Sequence, residues 1–217
     1  MRVLYEDENL LVIDKPARVN CDDIEKRVQP PKFSGEKLRR VHRLDKDTSG
    51  VLLIAKNDKA LEFLQKQFKE RKVGKKYILL VVGKLKTKRG KIKTFLARGG
   101  KDRRKQRVFS PFEPKMKRKK LKLAITEYKV IKEFKEYTFL EAKPKTGRRH
   151  QLRAHFAYLG HPIAGDNLYG FKNSPCPEGL KRQFLHASCL KIELPEGKVK
   201  EFNSELPEDL KNVLKIL

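Results

Sequence analysis

The chain has 217 residues, with 53 Lys and Arg against 27 Asp and Glu, a formal net charge of +26 at pH 7, and 38% apolar residues. That length supports one or at most two domains with a real core, and the positive balance opposes self-association while favouring a polyanion, nucleic acid first and an anionic membrane surface second. No apolar run approaches the ~18 residues of a membrane helix, no signal-peptide core follows Arg2, and Cys21, Cys176 and Cys189 are too scattered for a CxxC pair or a zinc set.

Read in chain order, 2–5 is β-prone, 6–9 turns, and 10–13 is a short apolar strand stopped by Lys15-Pro16. Residues 21–39 are polar and read as a loop. The compact apolar run 51–55 predicts a buried strand. Asn57 or Asp58 caps a helix to about Glu70, with Leu61, Leu64 and Phe68 on one face. Residues 76–82 form another strand ended by Gly83, and 123–134 with 137–142 form a strand pair. The spacing predicts a helix over 147–159, with Leu152, Phe156 and Leu159 on its apolar side and Gly160 and Pro162 at its end. A late strand spans 185–194, and a short helix spans 208–217 behind Pro207. Strands and helices mix without a βαβ rhythm, so the expected class is α+β around a mixed central sheet flanked by helices. We find neither a repeat nor a long linker, and 1–217 reads as one domain.

Charge is concentrated. Residues 84–122 carry 18 Lys and Arg and only two acids, Asp102 and Glu113. A basic hairpin or pair of loops reaching for a phosphate backbone is expected there, a solvated lysine loop being the plain alternative. Phe109 and Phe112 could stack on bases or pin the strip to the body.

Three stretches could carry chemistry. Val41-His-Arg-Leu-Asp-Lys-Asp-Thr-Ser-Gly50 places Asp45 in a short segment before a buried strand. Arg43 beside it favours the ionised form, which can serve as nucleophile, base or metal ligand. A turn held by an Arg–Asp pair is the simpler reading of the spacing alone. Thr146-Gly-Arg-Arg-His-Gln-Leu-Arg-Ala-His155 puts Arg149 and Arg153 four apart, on one helix face that suits phosphate or carboxylate, or is simply basic and amphipathic. His150 and His155 lack an obvious third metal ligand. Lys75-Lys-Tyr77 opens an apolar strand with a ring that either packs or stacks on an extruded base.

Together these stretches closely resemble the RluA-type RNA pseudouridine synthases. His42-Arg-Leu-Asp45 with Thr48-Ser-Gly50 is similar to the signature HRLDxxTSG, Tyr77 to the K-x-Y tyrosine, and 146–155 to TGRxHQ[IL]RxH. The likeness continues through Gly165-Asp-Asn-Leu-Tyr-Gly170, Leu185-His-Ala187 and the opening 5–16. It departs at Arg18-Val19-Asn20, where the family usually has Gly and then apolar residues.

The resemblance implies a pseudouridine synthase catalytic domain without the S4-type RNA-binding domain of many relatives, the strip 84–122 partly taking over its work. It implies cofactor-free, metal-free isomerisation of uridine in ribosomal RNA, tRNA or both. Asp45 is then the essential carboxylate, adding to C1′ or removing a ribose proton; the sequence leaves both open. Arg153 pairs with that carboxylate, and Tyr77 stacks under the uracil and helps remove the C5 proton. Substrate contacts fall to Arg43, His42, Arg148 and Arg149, with His42 also orienting its loop. The base must leave the stack to be reached. A monomer in the cytoplasm, in contact with RNA and not with membrane, is expected. The alternatives are a non-catalytic RNA-binding or ribosome-associated protein and a metal-dependent nuclease using Asp45 and Asp47, which would need more clustered acids.

Overall fold

Alternating and continuous apolar runs set most of the elements. In this computed structural model, which describes residues 1–27, 38–100, 102–112 and 121–217, they follow in chain order. These are β1 (Arg2–Glu6), β2 (Leu10–Lys15), α1 (Cys21–Arg27), β3 (Arg39–Arg40), β4 (Ser49–Ala55), α2 (Asp58–Glu70), β5 (Gly74–Val82) and β6 (Arg89–Arg98). Then come β7 (Gln106–Phe109), β8 (Lys122–Glu133), β9 (Tyr137–Pro144), α3 (Gln151–Tyr158), β10 (Leu185–Glu193), β11 (Val199–Asn203) and α4 (Glu208–Lys215). The chain divides into two compact units: Met1–Lys75 with His186–Pro207, and Lys76–Leu185 with Glu208–Leu217.

In the first unit every residue of β4 is buried, as a central strand requires. It lies antiparallel to β2 (Leu11↔Ile54, Ile13↔Leu52) and parallel to β10 at Ser49↔His186 and Gly50↔Ala187. β1 and β11 extend the sheet antiparallel, so this sheet is mixed. Asn57 caps α2, its side chain accepting the Ala60 N–H at 2.8 Å. Leu64 then packs with Leu10, Val12, Leu53 and Leu190 in the core, with Leu61 and Phe68 against its margin.

Two elements here depart from the expected loop over 21–39. Its first residues form α1, and 39–40 form β3, which pairs with the end of β4 (Arg39↔Ala55). Residues 28–37 of that expected loop lie outside the described residues. α1 escapes periodicity because only Cys21 and Ile24 are apolar; both are buried, and Asp22 and Asp23 sit in the first turn where acids favour a helix.

The second unit is an antiparallel sheet in the order β5-β9-β8-β6-β7. Leu96, Ala124, Ala154 and Tyr169 form one core cluster there. Within the basic strip β6 and β7 pair antiparallel, with Phe95 opposite Phe109. Along β6, Ile92, Thr94 and Leu96 point inward while Arg89, Lys91 and Lys93 are exposed. Phe109 is buried and pins the hairpin, whereas Phe112 is exposed. Lys101 and residues 113–120 of the strip lie outside the described residues.

The expected helix over 147–159 is shorter. α3 begins at Gln151 because His150 adopts φ +53, a left-handed conformation that interrupts a helix. Its residues Gln151 to Phe156 are all buried, so it is a core helix rather than a basic amphipathic one. Arg149 stays exposed ahead of it, and the Arg149–Arg153 helix face does not form.

Candidate active site

Asp45 lies in the loop 41–48, between β3 and β4 of the first unit, and is half-buried. The backbone on both sides of it is held. The Leu44 N–H donates to Cys21 Sγ at 3.4 Å, and that thiol donates to the Leu44 carbonyl at 3.2 Å. Past Asp45, the Lys15 ammonium donates to the Lys46 carbonyl at 3.0 Å and to those of Pro16 and Val19 at 2.7 and 2.9 Å. Lys15 is fully buried, a position tolerable because each of its three N–H donors meets an oxygen. The Thr48 N–H closes the turn on the Asp45 carbonyl at 3.1 Å.

His42 anchors the start of the loop. Its Nε2 accepts the Leu53 N–H at 3.1 Å, and its ring stacks on Phe68 at 4.8 Å. Burial, and then the charge of Lys75, push the ring down to about 3, which keeps that nitrogen an acceptor. Arg43 is exposed. Below the loop, His186 joins Ser49 Oγ at 3.0 Å through Nδ1 and the Ser204 carbonyl at 3.0 Å through Nε2. Nε2 therefore carries the proton, and Nδ1 accepts from the serine.

In the second unit, Tyr77 is half-buried in β5 opposite Ala142. Arg153 is buried in α3, with Nε 2.7 Å from Asp166 Oδ2 and Nη2 2.8 Å from Oδ1. Its guanidinium carbon is 5.2 Å from the centre of the Tyr169 ring. Asp166 is the residue that sequence reasoning passed over: it stood within the matched stretch 165–170, but nothing in a linear motif announces its partner.

The segment before α3 is tied by Gln151. Its Oε1 accepts the Thr146 hydroxyl at 2.7 Å and the Arg148 N–H at 3.1 Å. Its Nε2 donates to the Ile125 carbonyl at 2.9 Å and Thr126 Oγ1 at 3.0 Å. All four bonds of the amide are thus made. Arg148 Nε donates to the Leu123 carbonyl at 3.0 Å. His155, fully buried, meets Thr126 Oγ1 at 2.9 Å and Thr94 Oγ1 at 3.0 Å, and burial lowers it to about 4. Among the described residues, no three His, Cys, Asp or Glu side chains gather as a metal site.

A family model described as RNA pseudouridylate synthase matches residues 9–158. The chain belongs to this RNA pseudouridylate synthase family. The matched span takes in Asp45, Tyr77 and Arg153. Among relatives, the ribosomal large subunit pseudouridine synthase D of Borreliella burgdorferi is 38% identical over 224 residues, covering 95% of this chain and 65% of that protein. The ribosomal large subunit pseudouridine synthase C of Vibrio vulnificus is 35% identical, covering 99% of this chain and 69% of that protein. The chain thus spans about two thirds of the length of these relatives. Among solved structures, human RNA pseudouridylate synthase domain containing 1 superposes with a TM-score of 0.82 at 29% identity, covering 97% of this chain and 86% of that one. The α+β architecture is therefore that of a pseudouridine synthase fold.

Proposed function

We propose that this chain isomerises uridine to pseudouridine in RNA, with Asp45 as the reacting carboxylate, and that its substrate is large-subunit ribosomal RNA. The reading is carried by one observation: the family match contains Asp45 in a loop whose backbone is fastened at the residues before and after it. A carboxylate held in place before substrate arrives needs little reorganisation when charge develops at C1′. In net terms, the N1–C1′ bond breaks, a C5–C1′ bond forms, the C5 proton leaves and N1 regains a proton, so no external donor or oxidant is consumed. Tyr77 supplies the ring beneath the extruded uracil and Arg153 balances the carboxylate charge, while Arg43, Arg148 and Arg149 contact the RNA. The ribosomal substrate is supported by the names of the relatives, and a cytoplasmic protein is the reading that goes with it. The net charge of +26 suits a monomer on a polyanion.

The test is tritium release from RNA carrying [5-³H]uridine, run in chelator, with wild type and Asp45→Ala side by side. Ribosomal RNA and bulk tRNA are both offered. Release by wild type alone, from ribosomal RNA, is expected. Release from tRNA alone would overturn the substrate. Turnover by Asp45→Ala would overturn the role of Asp45. Loss of activity in chelator would favour the nuclease-like use of a metal, and RNA binding without release from either RNA would favour the non-catalytic binder.

A further inference from the structure

Asp166 is only 4% exposed in a chain dominated by cations, and its carboxylate accepts four hydrogen bonds. Two come from Arg153. The other two come from its own turn: the backbone N–H groups of Leu168 and Tyr169 both reach Oδ1 at 2.9 Å. The main chain of the turn is closed as well, with the Asp166 N–H on the Ile163 carbonyl at 3.1 Å and the Gly170 N–H on the Asp166 carbonyl at 2.8 Å. Gly165 enters the turn at φ +71, where a side chain would collide with the Arg182 carbonyl. The carboxylate is therefore set by backbone and cannot swing to follow a moving arginine. Burial by itself would raise the Asp166 carboxyl; the hydrogen bond and charge of Arg153, with the N–H groups of Tyr169 and Leu168, outweigh it and hold the group below the usual carboxylate range.

The Tyr169 ring meets the other aspect of the guanidinium. Its hydroxyl accepts the Gln106 N–H at 2.6 Å and lies 3.2 Å from His150 Nδ1, so the ring is itself tethered. Edge and face of the guanidinium are thus both constrained by the segment 165–170.

We infer that Asp166 is a positioning residue: it presets the guanidinium of Arg153 in the free protein, with the Tyr169 ring as the second wall. The inference rests on the proposed role of Arg153 in the reaction. Asparagine at 166 keeps the Oδ1 contacts but turns an amide donor toward the Arg153 Nε–H, donor against donor. An arginine displaced by a fraction of an ångström should slow the chemical step far more than it weakens RNA binding.

The experiment compares wild type with Asp166→Asn, Asp166→Glu, Arg153→Lys and the double variant Asp166→Asn/Arg153→Lys, in single-turnover kinetics on the RNA that wild type modifies. RNA affinity is measured alongside. The Arg153 Nε–H resonance, assigned by its disappearance in Arg153→Lys, is followed by nitrogen-15 NMR. Asp166→Asn should lose on the order of 10²-fold in the chemical step with RNA affinity within about threefold of wild type. It should also lose the protected Nε–H resonance, and the double variant should be no slower than Arg153→Lys. A folded Asp166→Asn that turns over within about twofold of wild type would overturn the inference, as would losses that multiply in the double variant. Should Asp166→Asn fail to fold, Asp166→Glu keeps the charge at a longer reach and carries the same comparison, an unchanged rate again overturning it. Wild type without turnover on any RNA would remove the proposed activity instead. The Nε–H resonance would then decide for Asp166, its persistence in Asp166→Asn refuting the preset arginine.

Discussion

Tyr77 is half-buried, so its ring can pack and still present one side to a base. If stacking outweighs the hydroxyl, Tyr77→Phe should retain at least about five times the tritium-release rate of Tyr77→Ala, on the stacking scale of roughly 1–3 kcal/mol per base. Acid sensitivity is shared by two rings, His42, lowered to about 3, and His155. His155 stays neutral in the fold because burial lowers it to about 4 from an ordinary 6.5. Between those values the unfolded chain takes up a proton that the native chain refuses. Its contribution to stability is complete above pH 6.5, falls as pH drops, and is gone below about 4, a change on the order of 3 kcal/mol. Urea midpoints at pH 7 and pH 4.5 should therefore differ less in His155→Asn than in wild type. The motifs name Asp45, Tyr77 and Arg153 directly. They are silent on what holds them: Arg153 and Asp166 are 13 residues apart, Cys21 and Leu44 are 23 apart, and Lys15 and Lys46 are 31 apart. No spacing in a single sequence marks such pairings.

At the level of elements, the junction of β4 and β10 is the tightest constraint near Asp45. Gly50 adopts φ +115, and a β-carbon there would strike the Ala187 carbonyl on the parallel neighbour. Gly50→Ala combines backbone strain with a backbone clash and should cost more than about 2 kcal/mol in urea denaturation. The glycine is visible in the motif, while the neighbour that forbids a side chain is not. The same division explains the two segments that differ from expectation. α1 is seven residues long with two apolar anchors, too little for periodicity. α3 loses its first turn to the left-handed His150 and to the Gln151 amide that gathers Thr146 and Arg148, whereas the sequence 147–159 shows only unbroken helical spacing.

For the whole molecule the question is where so much positive charge goes. In β6 and β8, Arg89 stands directly opposite Lys129, and both are exposed. Like charges facing each other across a ladder cost stability, so the sheet tolerates an arrangement that an anionic partner would relieve. Lys93 lies on the same outward row of β6. Replacing Arg89, Lys93 and Lys129 by Gln should weaken RNA binding and flatten the plot of log affinity against log salt. The slope should fall by roughly 0.7 to 0.9 for each phosphate no longer neutralised. An unchanged slope would assign these cations to a merely solvated face.

Sequence by itself determined the α+β class, most strands, α2 and α4, and the family. Net charge, apolar runs and contiguous motifs are local or additive properties that survive in one dimension. Only the tertiary structure decided that β6 and β7 pair within the basic strip, that Gln151 to Phe156 of α3 are all buried, that Phe109 packs, and that Lys15, Cys21 and Asp166 hold the surroundings of Asp45 and Arg153. Each of these depends on which distant residues meet, through burial of charge, donor and acceptor pairing, and close approach of backbones, and these forces act between positions that the linear order keeps apart.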